Sequence, residues 1–467
     1  MSTKRYIDLI VEAALVCRQR RGLARGIYFP PELVDHICSY LSGDLLSLRH
    51  CSLVCRSWAV TSSRYLFRKA SIPLCPSELC SARNGLFVSR MESVLHRFHT
   101  TTRFSGIRDL RLSCTCASSQ HTYGSGLRYK LPISVANLRD LLASLPHLKN
   151  LELSHGSMQS ASSPLPCLDG PRRLDKIVFI SGGDAAFNPG PYVEILQLFE
   201  SISETEFHHL PDPGLAVRGI HPTRPSNPAP SNLPRVQSLQ FLRSSSEAVA
   251  AVLEAMVARI DMLSIRNLAI QNTHFRPMEM LQTALPQFLS LCVSLETLTC
   301  DPRLLRFARQ VALPNLCKLE IHGKLRLDET QRCTFWPPGE PPRLTSVNVL
   351  RSGWLEIFHA IPHLDLPSLQ TIYIHYDLTN PKLSQATAER GSAGASGTDL
   401  LNTLNSPVAD FWPFLDRLIG RAKFISVHME LHLPSPDVKE QYLQIIQVIA
   451  ETRMSDVAKG AIQFYVS

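Results

Sequence analysis

Nine times between residues 107 and 374 the chain repeats one short pattern: an apolar residue, two others, an apolar residue, one other, a third apolar residue. The units are Ile107-Leu110-Leu112, Leu148-Leu151-Leu153, Leu174-Ile177-Phe179, Val236-Leu239-Phe241, Ile265-Leu268-Ile270, Leu295-Leu298-Cys300, Leu316-Leu319-Ile321, Leu344-Val347-Val349 and Leu369-Ile372-Ile374. The last two apolar positions of each unit stand two residues apart, the period of an extended strand, so they share one face. None of these short strands can bury its apolar set alone. Neighbours must supply the missing wall, and such an array is stable only collectively. The last six units begin 29, 30, 21, 28 and 25 residues apart, room for a strand and a return segment and little more.

Return segments with helical character are expected at residues 135–144, 247–259, 278–291 and 355–359. Leu-Pro precedes several strands, as in Leu145-Pro146, Leu313-Pro314 and Leu366-Pro367, ending one segment and setting up an extended lead-in. The third and fourth units are 62 residues apart. That interval holds a helix expected at 191–202 and a Pro-rich run at 211–234. Flexible loops are expected at 154–173, 211–234, 337–342 and 379–398, with 391–397 disordered. Beyond them, 408–419 reads as helix, Ile425, Val427, Met429 and Leu431 alternate as a strand, and 437–453 is an amphipathic helix with Tyr442, Ile445, Ile446 and Ile449 on one side. Phe464 and Val466 close the chain as a last strand. This spacing resembles leucine-rich repeats of about 20–29 residues. One departure is plain: the asparagine usual three residues after the last leucine is replaced throughout, by Thr115, Gly156, Gly182, Ser244, Thr273, Arg303, Lys324, Ser352 and Asp377. The resemblance is thus to a degenerate repeat, and an ordinary α/β domain of Leu-rich strands and helices is the alternative.

Residues 29–67 carry a second, denser signal. Pro30-Pro31-Glu32 suits a helix start, because proline's missing N–H would be unpaired there and the acid faces the positive end of the dipole. Leu33, Ile37 and Leu41 follow as one stripe with Val34 beside them; Ser42-Gly43-Asp44 ends the helix, Gly43 suiting a left-handed position. Leu45, Leu48, Leu53, Val54 and Cys55 form a second helical run, and Arg56 to Trp58 lead a third that ends near Leu66-Phe67. Helices this short need one another or a partner, so a small core of shared Leu, Val, Cys and Trp is expected. The matching positions Pro30, Glu32, Leu33, Ile37, Leu41, Leu48, Val54, Cys55, Arg56, Trp58, Leu66 and Phe67 resemble a fungal-type F-box, with Phe29 where leucine is usual. The likeness implies docking on a Skp adaptor, and through it on a cullin, with Pro30, Pro31, Glu32, Leu33, Ile37, Leu41, Leu48, Val54 and Trp58 making or supporting the contact.

Charge and cysteine usage narrow the class. Residues 1–70 hold eleven Lys/Arg against five Asp/Glu, leaving about +2 of the formal +8 for the rest. That basic end would complement an acidic adaptor surface. Nucleic acid is not expected as a partner, because the body lacks clustered Lys/Arg with stacking aromatics. No run of about 20 apolar residues is present, so no membrane span is expected. The basic residues 1–26 read as a helical extension packing on the following helices, with a transit peptide and a nuclear-localisation patch as alternatives. Thirteen scattered cysteines without a secretory signal or even spacing point to a reducing, cytoplasmic and/or nuclear setting. Cys114-Thr115-Cys116 with His121 is the nearest approach to a metal cluster, yet no second pair stands at zinc spacing. No catalytic motif or phosphate loop is found, so no metal, cofactor or catalytic residue is expected.

The fold class expected is therefore α+β or α/β: a small three-helix F-box followed by an irregular leucine-rich-repeat-like α/β solenoid. The boundaries are a basic extension at 1–26, the F-box at 27–72, a helical connector at 73–104, the repeats at 105–378, a linker at 379–406 and a cap at 407–467. The function expected is substrate recognition in an SCF-type ubiquitin ligase, the F-box docking the adaptor and the repeat body binding an unidentified target protein. The alternative is a leucine-rich interaction scaffold without a ligase role. In such bodies the outward strand residues bind the target; here these are Asp109, Arg111, Asn150, Glu152, Lys318, Glu320, His322, Thr371, Tyr373 and His375.

Overall fold

The computed structural model describes residues 29–75, 106–114, 132–154, 157–161, 172–181, 187–211, 233–271, 279–301, 304, 307, 311–322, 345–350, 370–377, 426–432, 444, 447–448 and 462–466. The chain divides into two compact units, Met1–Ser203 and Glu204–Ser467.

The first unit opens with three helices, α1 (Pro31–Tyr40), α2 (Leu45–Val54) and α3 (Arg56–Leu66). Pro31 stands in the first turn of α1, and the Pro30 carbonyl accepts from the N–H groups of Leu33 and Val34 at 3.0 and 3.1 Å. A 3₁₀ turn, Leu41–Gly43, follows α1. Gly43 has no positive φ, so the left-handed position expected for it is not formed. Asp44 sets the junction instead: its Oδ1 accepts from the N–H groups of Leu46 and Ser47 at 3.1 Å each, capping α2. Val34, Cys38, Leu41, Leu48, Cys51 and Trp58 are buried together, with Phe29 edge-on to Trp58 at 5.6 Å between ring centroids.

The chain then enters a parallel sheet. In this unit the strand order is β1 (Lys69–Cys75), β2 (Asp109–Cys114), β4 (Asn150–Ser154), β6 (Arg173–Ile180). Leu110, Leu151 and Ile177 align across the three strands, as do Leu112, Leu153 and Phe179. All six are at most 2 % exposed, so one inward face is built from successive units. Helix α4 (Val135–Ala143) buries Val135, Leu138, Leu141 and Leu142, and the Arg172 guanidinium donates to the Leu142 and Ala143 carbonyls at its C-terminal end. Helix α5 (Gly190–Leu196) places Tyr192 edge-on to Phe179 at 5.2 Å.

Three expectations change here. β1 falls where 73–75 had been assigned to a helical connector; its alternation, Ala70 and Ile72 beside Leu110 and Leu112, is too short to stand out. The 154–173 loop contains a short strand, β5 (Ser157–Gln159), paired with β3 (Pro132–Ser134). The helix expected at 191–202 ends at Leu196, and a strand, β7 (Ser201–His208), begins before its expected end.

In the second unit β8 (Arg235–Leu242), β9 (Asn267–Gln271), β10 (Thr297–Cys300), β11 (Lys318–His322), β12 (Ser346–Leu350), β13 (Thr371–Asp377), β14 (Ser426–His432) and β15 (Ile462–Val466) lie side by side in chain order, each pair parallel. Register holds throughout: Leu239, Leu268, Leu298, Leu319, Val347, Ile372, Val427 and Ile462 form one row. Leu239, Leu268, Leu298 and Leu319 are buried, and across β8 to β11 a slip of one residue would turn them outward, so the buried face enforces the alignment there. Phe207 stacks on Phe241 at 5.2 Å. Helix α6 (Ser246–Val257), capped by the Ser245 hydroxyl accepting from Ala248 N–H at 3.1 Å, is buried along most of its length and packs on α7 (Glu279–Leu291). The expected return helices 135–144, 247–259 and 278–291 are thus present. The segments expected at 1–26, 337–342, 355–359, 379–398 (with 391–397) and 408–419 lie outside the described residues, as does most of 211–234 and 437–453.

Candidate functional site

The exposed apolar residues are concentrated on the three N-terminal helices. Along α1, Val34 and Cys38 turn inward and Leu41 follows them, while Leu33 and Tyr40, 44 % and 62 % exposed, flank half-buried Ile37. Leu33, Ile37 and Tyr40 stand at i, i+4 and i+7, a second stripe beside the buried one. On α2, Leu48 and Cys51 are buried, whereas Leu45, Leu46 and Leu53 are 54 to 63 % exposed; Val60 on α3 is 59 % exposed.

This sorts the sequence candidates by role. Pro30, Pro31, Glu32 and Leu33 are exposed and Ile37 and Val54 half-buried, whereas Leu41, Leu48 and Trp58 are in the core and can only support a contact. Leu45 and Leu53, expected in the core, are exposed. The reason is geometric: at 100° per residue Leu45, Leu46 and Leu48 cannot all face one side. Tyr40, Leu45, Leu46 and Val60 were missed as surface residues, and that crowding of leucines was the available signal.

Polar contacts lock the helices behind this surface. Tyr65 Oη on α3 donates to Asp35 Oδ1 on α1 at 3.1 Å, and the buried Ser62 hydroxyl donates to the Trp58 carbonyl at 2.6 Å. Burial, then the hydrogen bond to Asp35, pushes the Tyr65 phenol upward. Cys38 and Cys51 are both buried; the hydrogen bond to Cys51, reinforced by burial, pushes the Cys38 thiol up. At exposed Cys55 burial acts upward, but hydrogen bonds from the Ser57 hydroxyl and from the Trp58 and Ser57 backbone outweigh it, leaving that thiol below its ordinary value.

The outward strand candidates fall into two groups, one in each unit. In the first, Asn150 Nδ2 donates to Asp109 Oδ1 at 2.6 Å, Arg111 Nε lies 3.1 Å from Glu152 Oε1, and the Ser154 hydroxyl donates to Glu152 at 2.7 Å. Register explains the set, since Asp109 is opposite Asn150 and Arg111 opposite Glu152. In the second, Lys318 Nζ is 2.6 Å from Glu320, which also accepts from Thr299 Oγ1 at 3.0 Å. Lys318, Ser346 and Thr371 align across β11 to β13, as do Glu320, Asn348 and Tyr373, and His322, Leu350 and His375. The ion pairs join the exposed Arg111 and part-exposed Lys318 side chains to half-buried carboxylates, and pairs this close to solvent contribute roughly 0–1 kcal/mol each. Gln240 Nε2 donating to Glu204 at 2.8 Å and His208 at 2.9 Å from Glu206 continue that character and were not anticipated.

Among the described residues, no group of three or more His, Cys, Asp and Glu side chains is arranged to hold a metal, and no helix is long and apolar enough to cross a membrane. Comparison with curated proteins finds no match. Comparison with family models finds one over residues 27–73, described as F-box-like. The match covers α1 to α3, their shared core and the first strand residues, and on that domain the chain is an F-box protein.

Proposed function

We propose that this chain is the substrate-recognition subunit of an SCF-type ubiquitin ligase. The observation that carries the reading is the F-box-like stretch folded with its apolar residues divided between a closed core and an exposed surface. An exposed apolar surface on a soluble domain is a partner's surface, and for F-box domains that partner is typically a Skp adaptor, which joins the subunit to a cullin. On this reading the sheet is a degenerate leucine-rich solenoid: parallel strands in chain order with one inward apolar row support it. Its outward polar rows then present a protein target, and chemistry is left to other subunits, so no residue of this chain is catalytic. A contact of standard size would use about 800 Å² on this side. The scattered cysteines favour a cytoplasmic and/or nuclear setting.

The test is capture of a purified Skp adaptor by the full chain. Leu33→Asp with Leu46→Asp should weaken capture by about 100-fold, in line with loss of two apolar anchors buried on docking, while Leu263→Asp, about as exposed as Leu46 but in the other unit, should leave it unchanged. Undiminished capture by the double variant would sink the docking assignment. Cullin co-purifying with the wild type, and accumulation of a specific protein when the chain is depleted, separate a ligase receptor from a scaffold.

A further inference from the structure

Within the first unit, where the helices meet the lead-ins of the strands, lies a cleft of about 1070 Å³. It is lined by three arginines (Arg64, Arg68 and Arg108), His147, a single carboxylate (Asp35), and the hydroxyls of Tyr65 and three serines. Arg68 and Arg108 each stand one residue before the paired positions Lys69 and Asp109. The Arg68 carbonyl accepts from both Arg108 and Asp109 N–H at 2.9 Å, so the two arginines are held on neighbouring chains by the sheet itself. The next member of that row, Lys149, has Asp175 at 3.0 Å. Arg64, Arg68 and Arg108 have no carboxylate partner among the described residues, and Asp35 already accepts from Tyr65. Arg68 Nε is buried with no hydrogen-bond acceptor.

A buried donor without an acceptor, beside like charges held close by the backbone, is a standing cost in the free protein. We propose that this arginine cleft binds a soluble, multiply phosphorylated small molecule. Planar guanidinium forks match phosphate oxygens two at a time, and the surrounding hydroxyls add donors. The volume is just above the roughly 300–1,000 Å³ of small-molecule sites, too large for a single orthophosphate to fill. Val60 lies at the edge of the cleft and on the exposed apolar helix surface alike, but none of Pro30, Pro31, Glu32, Leu33, Ile37, Leu41, Leu48, Val54 and Trp58 lines it, and the inference does not rest on adaptor binding.

Calorimetric titration of the full chain with sodium tripolyphosphate, at physiological salt, tests it. One saturable site is expected. Arg68→Gln with Arg108→Gln should weaken the affinity at least about tenfold, whereas Lys318→Gln, in the second unit, should leave it unchanged. A second variant, Gly106→Asp, puts a carboxylate at the cleft; a Cβ there meets only Arg64, at 3.5 Å, so the backbone accepts it, and a similar loss is expected. The proposal is overturned if the wild type shows no saturable binding, if either cleft variant binds as the wild type does, or if Lys318→Gln weakens binding equally. Phosphatidylcholine vesicles with and without phosphatidylinositol bisphosphate should leave the protein in solution. Capture by the phosphorylated vesicles that the double Gln variant abolishes would assign the arginines to a lipid headgroup and overturn the soluble ligand.

Discussion

The three N-terminal helices and the strand ladder use the same apolar residues to opposite ends. Seven of the eleven large exposed apolar residues found among the described residues lie between Leu33 and Phe67, and none of the eleven lies on a strand. In the ladder, Phe241, Leu268, Leu298 and Leu319 are all buried and the alternate positions carry Gln240, Ala269, Thr299 and Glu320. A period of two places alternate side chains on opposite faces, whereas a helix of about three turns with adjacent leucines spreads them around its circumference. The ladder is closed to further apolar contact and the helices are not. The proposed recruitment through the helices and polar recognition along the strands rest on that contrast.

The comparison is most directly broken by truncation on each side. Phe241→Ala removes a fully buried ring stacked on Phe207 and should cost about 3–5 kcal/mol. Leu46→Ala removes a side chain 63 % exposed and should change stability by less than about 0.5 kcal/mol. Urea midpoints for the two variants give the answer. A large loss for Leu46→Ala would mean that the exposed leucines hold the helices together and are not a spare surface.

Much of this division was readable in the residues. Every repeat triplet whose side chains are described is buried as its spacing required, from Ile107-Leu110-Leu112 to Leu316-Leu319-Ile321, because an apolar pattern recurring from unit to unit leaves little freedom. The helix surface was harder. Leu33-Ile37-Leu41 satisfies helical spacing, yet Leu41 falls in the core and Tyr40 takes the outer place, since stripes one residue apart differ by only 100° and tertiary packing decides between them. Of the outward candidates, the pairings Asp109 with Asn150 and Arg111 with Glu152 depend on register between strands about 40 residues apart, which spacing along one unit does not contain.

A second contrast concerns ionisable groups. Tyr192 is buried against Phe179, and burial lifts its phenol to about 12 despite a hydrogen bond to Ser181. Below pH 10, where the phenol is protonated in folded and unfolded chains alike, the native state keeps its full stability. Between pH 10 and 12 only the unfolded chain releases the proton, so stability falls as pH rises, by about 2–3 kcal/mol at roughly 1.4 kcal/mol per unit. Denaturation at pH 9 and pH 11.5 should show the loss, and Tyr192→Phe should flatten that part of the profile. A slope unchanged in Tyr192→Phe would place the alkaline sensitivity elsewhere.

The smallest change expected at a buried position sits at the unit the pattern missed. Ile202, Thr205 and Phe207 have the repeat spacing and all three are buried, but a threonine fills the middle place that leucine, isoleucine or valine holds elsewhere. Its Oγ1 is buried with no hydrogen-bond partner. A hydroxyl in that position loses its water without replacement, so Thr205→Val, close to the same shape, should raise stability by about 1–2 kcal/mol. Thr299→Val is the matching control: Thr299 is also buried, but its hydroxyl donates to Glu320 at 3.0 Å, and the substitution should be neutral or cost about 1 kcal/mol. Urea midpoints at unchanged m-value compare them. If Thr205→Val is instead destabilising, the inward row of β7 is not an apolar rung like its neighbours, and the contrast between a closed ladder and open helices fails at that strand.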